Sequence, residues 1–183
     1  MAVFITSDLH FHHKNILTFN RNTRPYTSVE QMNATMIHEW NNTVTDEDTV
    51  YILGDVGLCS QRKAIDAMQS LRGSKILIEG NHDRYFVQNR KFAECFTEIH
   101  QYLEIKHNKH KICMFHFPIA EWHGCHHGSI HLHGHLHGAP SGLEQYRARD
   151  VGMDATGKVV SLLDDIVADA LTGEIKNHGG INE

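Results

Sequence analysis

The chain has 183 residues, 40% hydrophobic and 21% charged, which suits one domain over residues 1–183 with a sizeable core. No apolar run reaches the ~18 residues of a membrane helix, and Met1–Asp8 lacks the basic region and cleavage site of a secretory signal, so a cytoplasmic protein with no membrane partner is expected. A net charge of −5 with histidine neutral excludes the basic footprint of a protein that tracks long duplex nucleic acid.

Residues 2–7 read as a buried first strand, apolar without alternation. Asp8 and His10 follow its end, then a short helical or loop segment around Ile16–Phe19 and a polar loop over 20–27 broken by Pro25. Ser28 and Gln31 have capping-box spacing, and Val29, Met32, Met36, Ile37 and Trp40 give residues 29–42 one apolar helical face. Residues 49–53 form the second strand, ending at Gly54-Asp55. Ser60 opens a helix whose apolar face is Ala64, Ile65, Met68 and Leu71, stopped at Gly73. The third strand, 75–79, ends at Gly80-Asn81-His82-Asp83, and a third helix is expected over 84–95. Strand and helix alternate here as in a parallel βαβ sheet.

After Thr97 the pattern turns to strands. Residues 98–105 and 111–117 flank a turn at 107–110, and Ser129–His133 leads into Gly134-His135-Leu136-His137. Residues 144–153 and 158–162 read as strands of a second sheet, and a last helix over 164–171 has Ser161 or Asp164 as its cap. The expected fold is α/β, an α+β sandwich: two mixed β-sheets packed face to face, flanked by helices.

Four cysteines without a Cys-x-x-Cys pair suit free thiols in a reducing compartment. The outlying number is 17 histidines, as many as lysine plus arginine, which asks for metal ligation, pH sensing or a compositional tract. Asp8, His10, Asp55, Asn81, His82, Asp83, His116, His135 and His137 all stand at the ends of apolar strands. Carboxylates, an amide and imidazoles suit borderline divalent metals; the set has no thiolate cluster for a zinc finger and too many imidazoles for a pure calcium site.

In order, Asp8-x-His10, Gly54-Asp55, Gly80-Asn81-His82-Asp83, His116 and Gly134-His135-x-His137 resemble the calcineurin-like metallophosphoesterase superfamily, and the short chain is similar to its small prokaryotic and phage-type members. The resemblance implies a dinuclear site at the strand ends, holding two divalent ions (Mn, Fe, Zn, Ni or Co). Asp8, His10 and His137 would hold one ion, Asn81, His116 and His135 the other, and Asp55 would bridge them. His82 would face the phosphate as general acid, and Asp83 would orient His82 by accepting its other ring proton; Asp83 also suits a helix N-cap. The implied activity is hydrolysis of phosphate mono- or diesters, with a hydroxide shared by metals ~3.5–4 Å apart as nucleophile. One departure is visible: many relatives carry a second acidic residue soon after the Gly-Asp block, where this chain has Val56-Gly57-Leu58-Cys59.

Substrate contacts are expected at Asn81, His82 and His13, with Lys14 beside it. Arg21, Arg24 and Arg147 could also grip phosphate. His131 and His133 share a strand face and could support the ligands, and His123, His126 and His127 could stand at the site's mouth. His12 lies just past the first block, and His38, His100, His107, His110 and His178 read as ordinary surface positions. The expected partner is a phosphate-ester substrate, either a small molecule or a nucleotide. The competing readings are a nuclease acting on nucleic-acid ends or single strands, and a His-rich metal-binding protein without catalysis. Nothing in the sequence signals an oligomeric state.

Overall fold

Val3-Phe4-Ile5, Val50-Tyr51-Ile52 and Ile76-Leu77-Ile78 are apolar on both faces, so the sheet they build must be covered on both sides. A computed structural model describes residues 1–177 and shows both covers; His178 lies outside the described residues. The first sheet has the order β4-β3-β2-β1-β9, with β1 (Val3–Thr6), β2 (Thr49–Ile52), β3 (Ser74–Ile78) and β4 (Glu98–His100) parallel and β9 (Ser161–Leu162) antiparallel to β1. The second sheet has the order β5-β6-β7-β8: β5 (Tyr102–His107) and β6 (His110–Phe115) form a hairpin, and β7 (Ile130–His133) and β8 (Ala148–Asp150) run parallel to β6.

Alternation along the strands decides which layer each residue joins. Phe4, Val50, Ile52 and Leu77 face α2 (Val29–Thr43), α3 (Gln61–Ser70), α4 (Arg84–Val87) and α5 (Arg90–Ala93), packing with Met36, Trp40, Met68, Phe86 and Phe92. Ile5, Leu53 and Ile78 face the second sheet, where Ile112, Met114, Ile130 and Leu132 complete a core between the sheets. α7 (Leu163–Ala170) closes that core with Leu163, Val167 and Ala170. On the far face of the second sheet, Cys113 and Ala148 pack beneath Trp122, Cys125 and Leu143.

The structure departs from the sequence reading at several ends. The Ser28 hydroxyl accepts from Gln31 N, but the Gln31 carbonyl turns back to Thr27 N rather than to Ser28. The helix expected over 84–95 is split into α4 and α5, because Asn89 leaves the helix and its side chain caps the second piece through Lys91 N. The strand expected over 98–105 breaks at Gln101, so that β4 ends the parallel sheet and β5 starts the hairpin. Residues 161–162 pair with Ile5 and Phe4 in the first sheet, not the second. Ser161 therefore does not cap α7, and Asp164 instead accepts from His107 and Asn108 in the hairpin turn. Among the described residues no helix is long and apolar enough to cross a membrane.

Every residue of β7 is buried because both faces of its sheet are covered. His131 stacks on Trp122, and both its ring nitrogens are used. Nδ1 donates to Cys113 O at 3.1 Å and Nε2 accepts from Ile119 N at 3.2 Å, so the ring is neutral. Burial pushes its pKa down to about 4, while the unfolded chain protonates it near pH ~6.5. Between those values the unfolded state binds the extra proton, so this residue's contribution to stability is present at neutral pH and lost as pH falls. Between pH 7 and 5 the loss is expected to be on the order of 1–2 kcal/mol. Urea unfolding at both pH values checks it: His131→Gln should reduce the drop between them, whereas an equal drop in both proteins would contradict the assignment.

Candidate metal centre

β1, β2, β3, β6 and β7 end at one edge of the two sheets, where parallel strands collect functional groups. The loops after β1 and β2 stay bonded beyond the sheet: Asp8 N, His10 N and Phe11 N donate to Gly54 O, Asp55 O and Val56 O, each at 3.0 Å. Gly134 N likewise donates to His116 O. These bonds join the first sequence block to the second and the fourth to the fifth, and Asp83 ties the third to the second through Asp55 N and Val56 N.

Turning the side chains inward requires an unusual backbone. Asp8 (φ 56°), His10 (50°), Asp55 (55°), His135 (73°) and His137 (51°) are all left-handed. An L-residue with a side chain loses about 1–2 kcal/mol in that region, and such strain gathers at functional sites. His12, Asn108 and Lys109 are the other non-glycine residues of this kind among those described. Gly54 (φ +91°) is needed where the loops nest, since a Cβ there would lie 2.5 Å from Gly80 N and 2.7 Å from His116 Nδ1.

Two ligand groups result. Asp8, His10 and His137 form one and Asp55, His116 and His135 the other, the donor atoms of each lying within 4.8 Å of one another. Asn81 joins the second, its Oδ1 3.0 Å from His116 Nε2. Asp55 lies between them, with Oδ2 3.7 Å from His10 Nε2 and 3.6 Å from His116 Nε2. His10 Nε2 and His137 Nε2 stand 3.9 and 3.8 Å from Asp8 Oδ1. These gaps are too long for hydrogen bonds.

The donors face one another without satisfying one another. Asp8 Oδ1 and both His10 nitrogens are buried and lack any hydrogen-bond partner. His116 Nδ1 lies 2.7 Å from Leu53 O, which can only accept, so Nδ1 carries a proton and Nε2 is the nitrogen turned toward Asn81 Oδ1. Buried polar groups are rarely left without a partner, as Asp8 Oδ1 and His10 are, and converging lone pairs fit a cation. Two carboxylates, three imidazoles with Nε2 inward, a fourth from His135 and one amide oxygen fit borderline divalent ions.

Around this cradle lies a support the sequence did not announce. Asp154, in the short α6 (Met153–Thr156), accepts from His137 Nδ1 at 2.7 Å, leaving Nε2 to face Asp8. Arg24 holds Asp154 with Nε and Nη2, and also donates from Nη1 to Leu9 O and the Met32 sulfur and from Nη2 to Asp8 O. It is fully buried and committed, so it is not available to phosphate. Burial would raise the Asp154 pKa, but the bonds from His137 and Arg24 outweigh it and hold the carboxyl well below the usual range. Burial would likewise lower His137, yet the Asp154 bond and the Asp8 charge leave it above its ordinary value. Asp8 is raised by burial, and His10, His135 and His13 are lowered mainly by burial. Neutral imidazoles can ligate without first losing a proton.

Asp83 sits elsewhere than expected. Its Oδ2 accepts from Asp55 N at 2.7 Å and Gly80 N at 2.8 Å, and its Oδ1 from Val56 N at 3.0 Å. No bond joins it to the His82 ring, and its side chain does not cap α4. Full burial pushes its pKa up to about 6 against those amide bonds. A carboxylate with three backbone donors braces the loops after β2 and β3. His82 is held by its backbone instead, N–H to Asp55 Oδ1 at 2.9 Å, and its ring stands at the rim with Nε2 3.9 Å from Asp55 Oδ2. His13 lies beside His10, ring centroids 5.3 Å apart, while His12 turns away to bond Asn33.

The later histidines do not form one metal tract. His131 is spent on backbone bonds, and His133 Nδ1 donates to Gly134 O. His123 pairs with Glu104, and His126 bonds Lys176 O and faces Glu121 near Cys125. Glu121, Cys125 and His126 also lie close enough to hold an ion, but Lys176 Nζ already sits 2.8 Å from Glu121. His127, beside them, is exposed. Arg147 donates to Gly128 O and Gly173 O, and Arg21 is exposed in its loop.

No family model matches the chain. It is 37% identical to protein MJ1445 of Methanocaldococcus jannaschii over 137 residues, covering 74% of this chain and 69% of that protein. It is 30% identical to the Gene 66 protein of Mycobacterium phage L5 over 188 residues, covering 86% and 89%. Among solved structures, a protein of unknown function from Aquifex aeolicus, AQ665, superposes with a TM-score of 0.66 at 24% identity, covering 85% of this chain and 91% of that one, and so shares the fold. A novel archaeal phosphodiesterase matches with a TM-score of 0.41 at 20% identity over 74% and 73% of the two chains, a likeness too low to bear on function.

Removing Asp154 would leave Arg24 buried and uncompensated. Asp154→Ala should cost about 3–5 kcal/mol of stability, read from denaturant midpoints. A loss below 1 kcal/mol would show that the pair does not brace the fold.

Proposed function

The chain belongs to the family of MJ1445 and the phage Gene 66 proteins, and we propose that this member is a metal-dependent phosphohydrolase of the calcineurin-like kind, acting on phosphate mono- or diesters. The observation that carries this reading is the Asp55 carboxylate between two converging ligand groups, in the first of which Asp8 Oδ1 and both His10 nitrogens are buried without hydrogen-bond partners. Asp8, His10 and His137 would hold one divalent ion, and Asn81, His116 and His135 the other, with Asp55 shared. Such ions supply Lewis acidity to a phosphoryl group and lower the pKa of a water nucleophile.

The rest is done by the chain's own groups. Asp154 and the Leu53 carbonyl fix the tautomers of His137 and His116, so that Nε2 of each is inward from the start. Asp83 fixes the backbone at Asp55 and Val56 and at Gly80, just before Asn81. His82 is the general acid. Its ring is 40% exposed at the rim and tied to no side chain by a hydrogen bond, so it can approach a bound ester. As the P–O bond breaks, the electron pair passes to the leaving oxygen and the ring proton of His82 joins it. Positioned acid catalysis of this kind contributes about 10²–10⁴-fold.

Elemental analysis and turnover of bis(p-nitrophenyl) phosphate after Mn loading test the proposal together. The wild type should hold two ions per chain and turn the ester over. Asp55→Ala should lose at least one ion and nearly all activity. Full activity with fewer than one ion per chain, or two tightly held ions with no activity on any phosphomonoester, cyclic nucleotide or oligonucleotide, would sink it. The latter pattern would favour a metal-binding protein.

His82→Ala separates acid catalysis from metal binding. Metal content should stay unchanged, and turnover of an ester with an alkoxide leaving group should fall about 10²–10⁴-fold. Less loss is expected for p-nitrophenolate, which leaves without a proton. Equal losses on both esters would remove His82 from the role.

A further inference from the structure

Beside His82 opens a cleft of about 630 Å³, in the size range of small-molecule sites, lined by Leu58, Asn81, His82, Arg84, Tyr85 and Gln88 among others. Two of the seven exposed large hydrophobic side chains among the described residues, Leu58 and Tyr85, line this one cleft. Tyr85 is 61% exposed, its ring tilted 56° to that of buried Phe86 with centroids 5.8 Å apart. A bare aromatic face backed by a rigid core residue is a stacking platform.

The polar groups of the cleft have one sign. Arg84 contributes a cation that forms no ion pair within the described chain, and no carboxylate lines the wall. The Tyr85 hydroxyl and the Gln88 amide have no hydrogen-bond partner among the described residues, although Tyr85 is anchored through its carbonyl, which accepts from Gln61. The cleft joins the candidate centre at Asn81 and His82, the side on which the departing oxygen takes its proton. A group that leaves on the His82 side of the phosphate would meet this cleft.

We propose that the cleft binds the leaving group of the ester and that this group is a nucleoside, its base stacked on Tyr85 against Leu58, with Gln88 and Arg84 on its polar edge. The inference rests on the phosphohydrolase reading and narrows its substrate to nucleotides or nucleotide ends. A solvated surface tyrosine would need neither the apolar neighbour nor the acid-free wall. Base stacking on one aromatic side chain gives roughly tenfold or more in affinity and tolerates any base.

Calorimetric titration of the Mn-loaded full chain with AMP and with ribose 5-phosphate tests this, since the two share the phosphate and sugar and differ in the base. AMP should bind at least tenfold more tightly. Tyr85→Ala should bring the two affinities within threefold, and Tyr85→Phe should keep the difference, because the ring and not the hydroxyl carries it. Equal affinities in the wild type, with bis(p-nitrophenyl) phosphate turnover intact, would overturn the subsite and leave the phosphohydrolase standing. A preference for AMP that Tyr85→Ala does not change would also overturn it. Failure of both ligands to bind, with no turnover, would overturn both readings.

Discussion

Four two-atom side chains at the strand ends, Asp8, Asp55, His116 and His137, divide their work: one atom holds the frame, and the other faces the gap. Asp8 gives Oδ2 to the backbone of His135 and leaves Oδ1 inward. Asp55 gives Oδ1 to the backbone of His82 and turns Oδ2 toward three imidazoles. His116 and His137 give Nδ1 to Leu53 O and Asp154 and aim Nε2 inward. The loops are therefore fastened by the same residues that build the site, and the site cannot be removed without loosening the loops. Asp83 gives both oxygens to the frame, and it brings the loops that carry Asp55 and Asn81 together.

This division explains why the site tolerates its own cost. Several non-glycine residues in left-handed backbone and two deeply buried carboxylates are each unfavourable alone. The backbone bonds to Asp83, Asp8 and Asp55 fix those conformations, and the two-sided cores hold the strands beneath them. What the protein groups do not supply is positive charge at the centre. Arg24 reaches only the outside of the first loop, through the carbonyls of Asp8 and Leu9. The unsatisfied polar atoms of Asp8 and His10 are where a cation would complete the electrostatics.

The strands, the long helix α2 and the strand-end ligand blocks were legible in sequence because each is a local pattern: an apolar run, a helical period, or a motif directly after a strand. The convergence of Asp8, His10, Asp55, Asn81, His116, His135 and His137 followed from one rule, that parallel strands end at one edge. What escaped was set by distant partners. Arg24 looked like a loop cation because nothing nearby shows that Asp154, 130 residues away, meets it. Asp154 has no motif of its own; a lone acid following β8 at the same edge was the only signal. Asp83 was expected to hold His82 because the resemblance implies it, whereas its two oxygens accept from three backbone amides. The later histidines looked like one tract because alternation does not reveal that both faces of β7 are covered.

The account stands or falls on whether two cations occupy the gap beside Asp55. Anomalous diffraction from crystals of the full chain grown with manganese measures this directly. Two peaks are predicted, one within reach of Asp8, His10 and His137, the other of Asn81, His116 and His135, with the Asp55 carboxylate touching both. No peak at the strand ends, or density only at Glu121, Cys125 and His126, would contradict it.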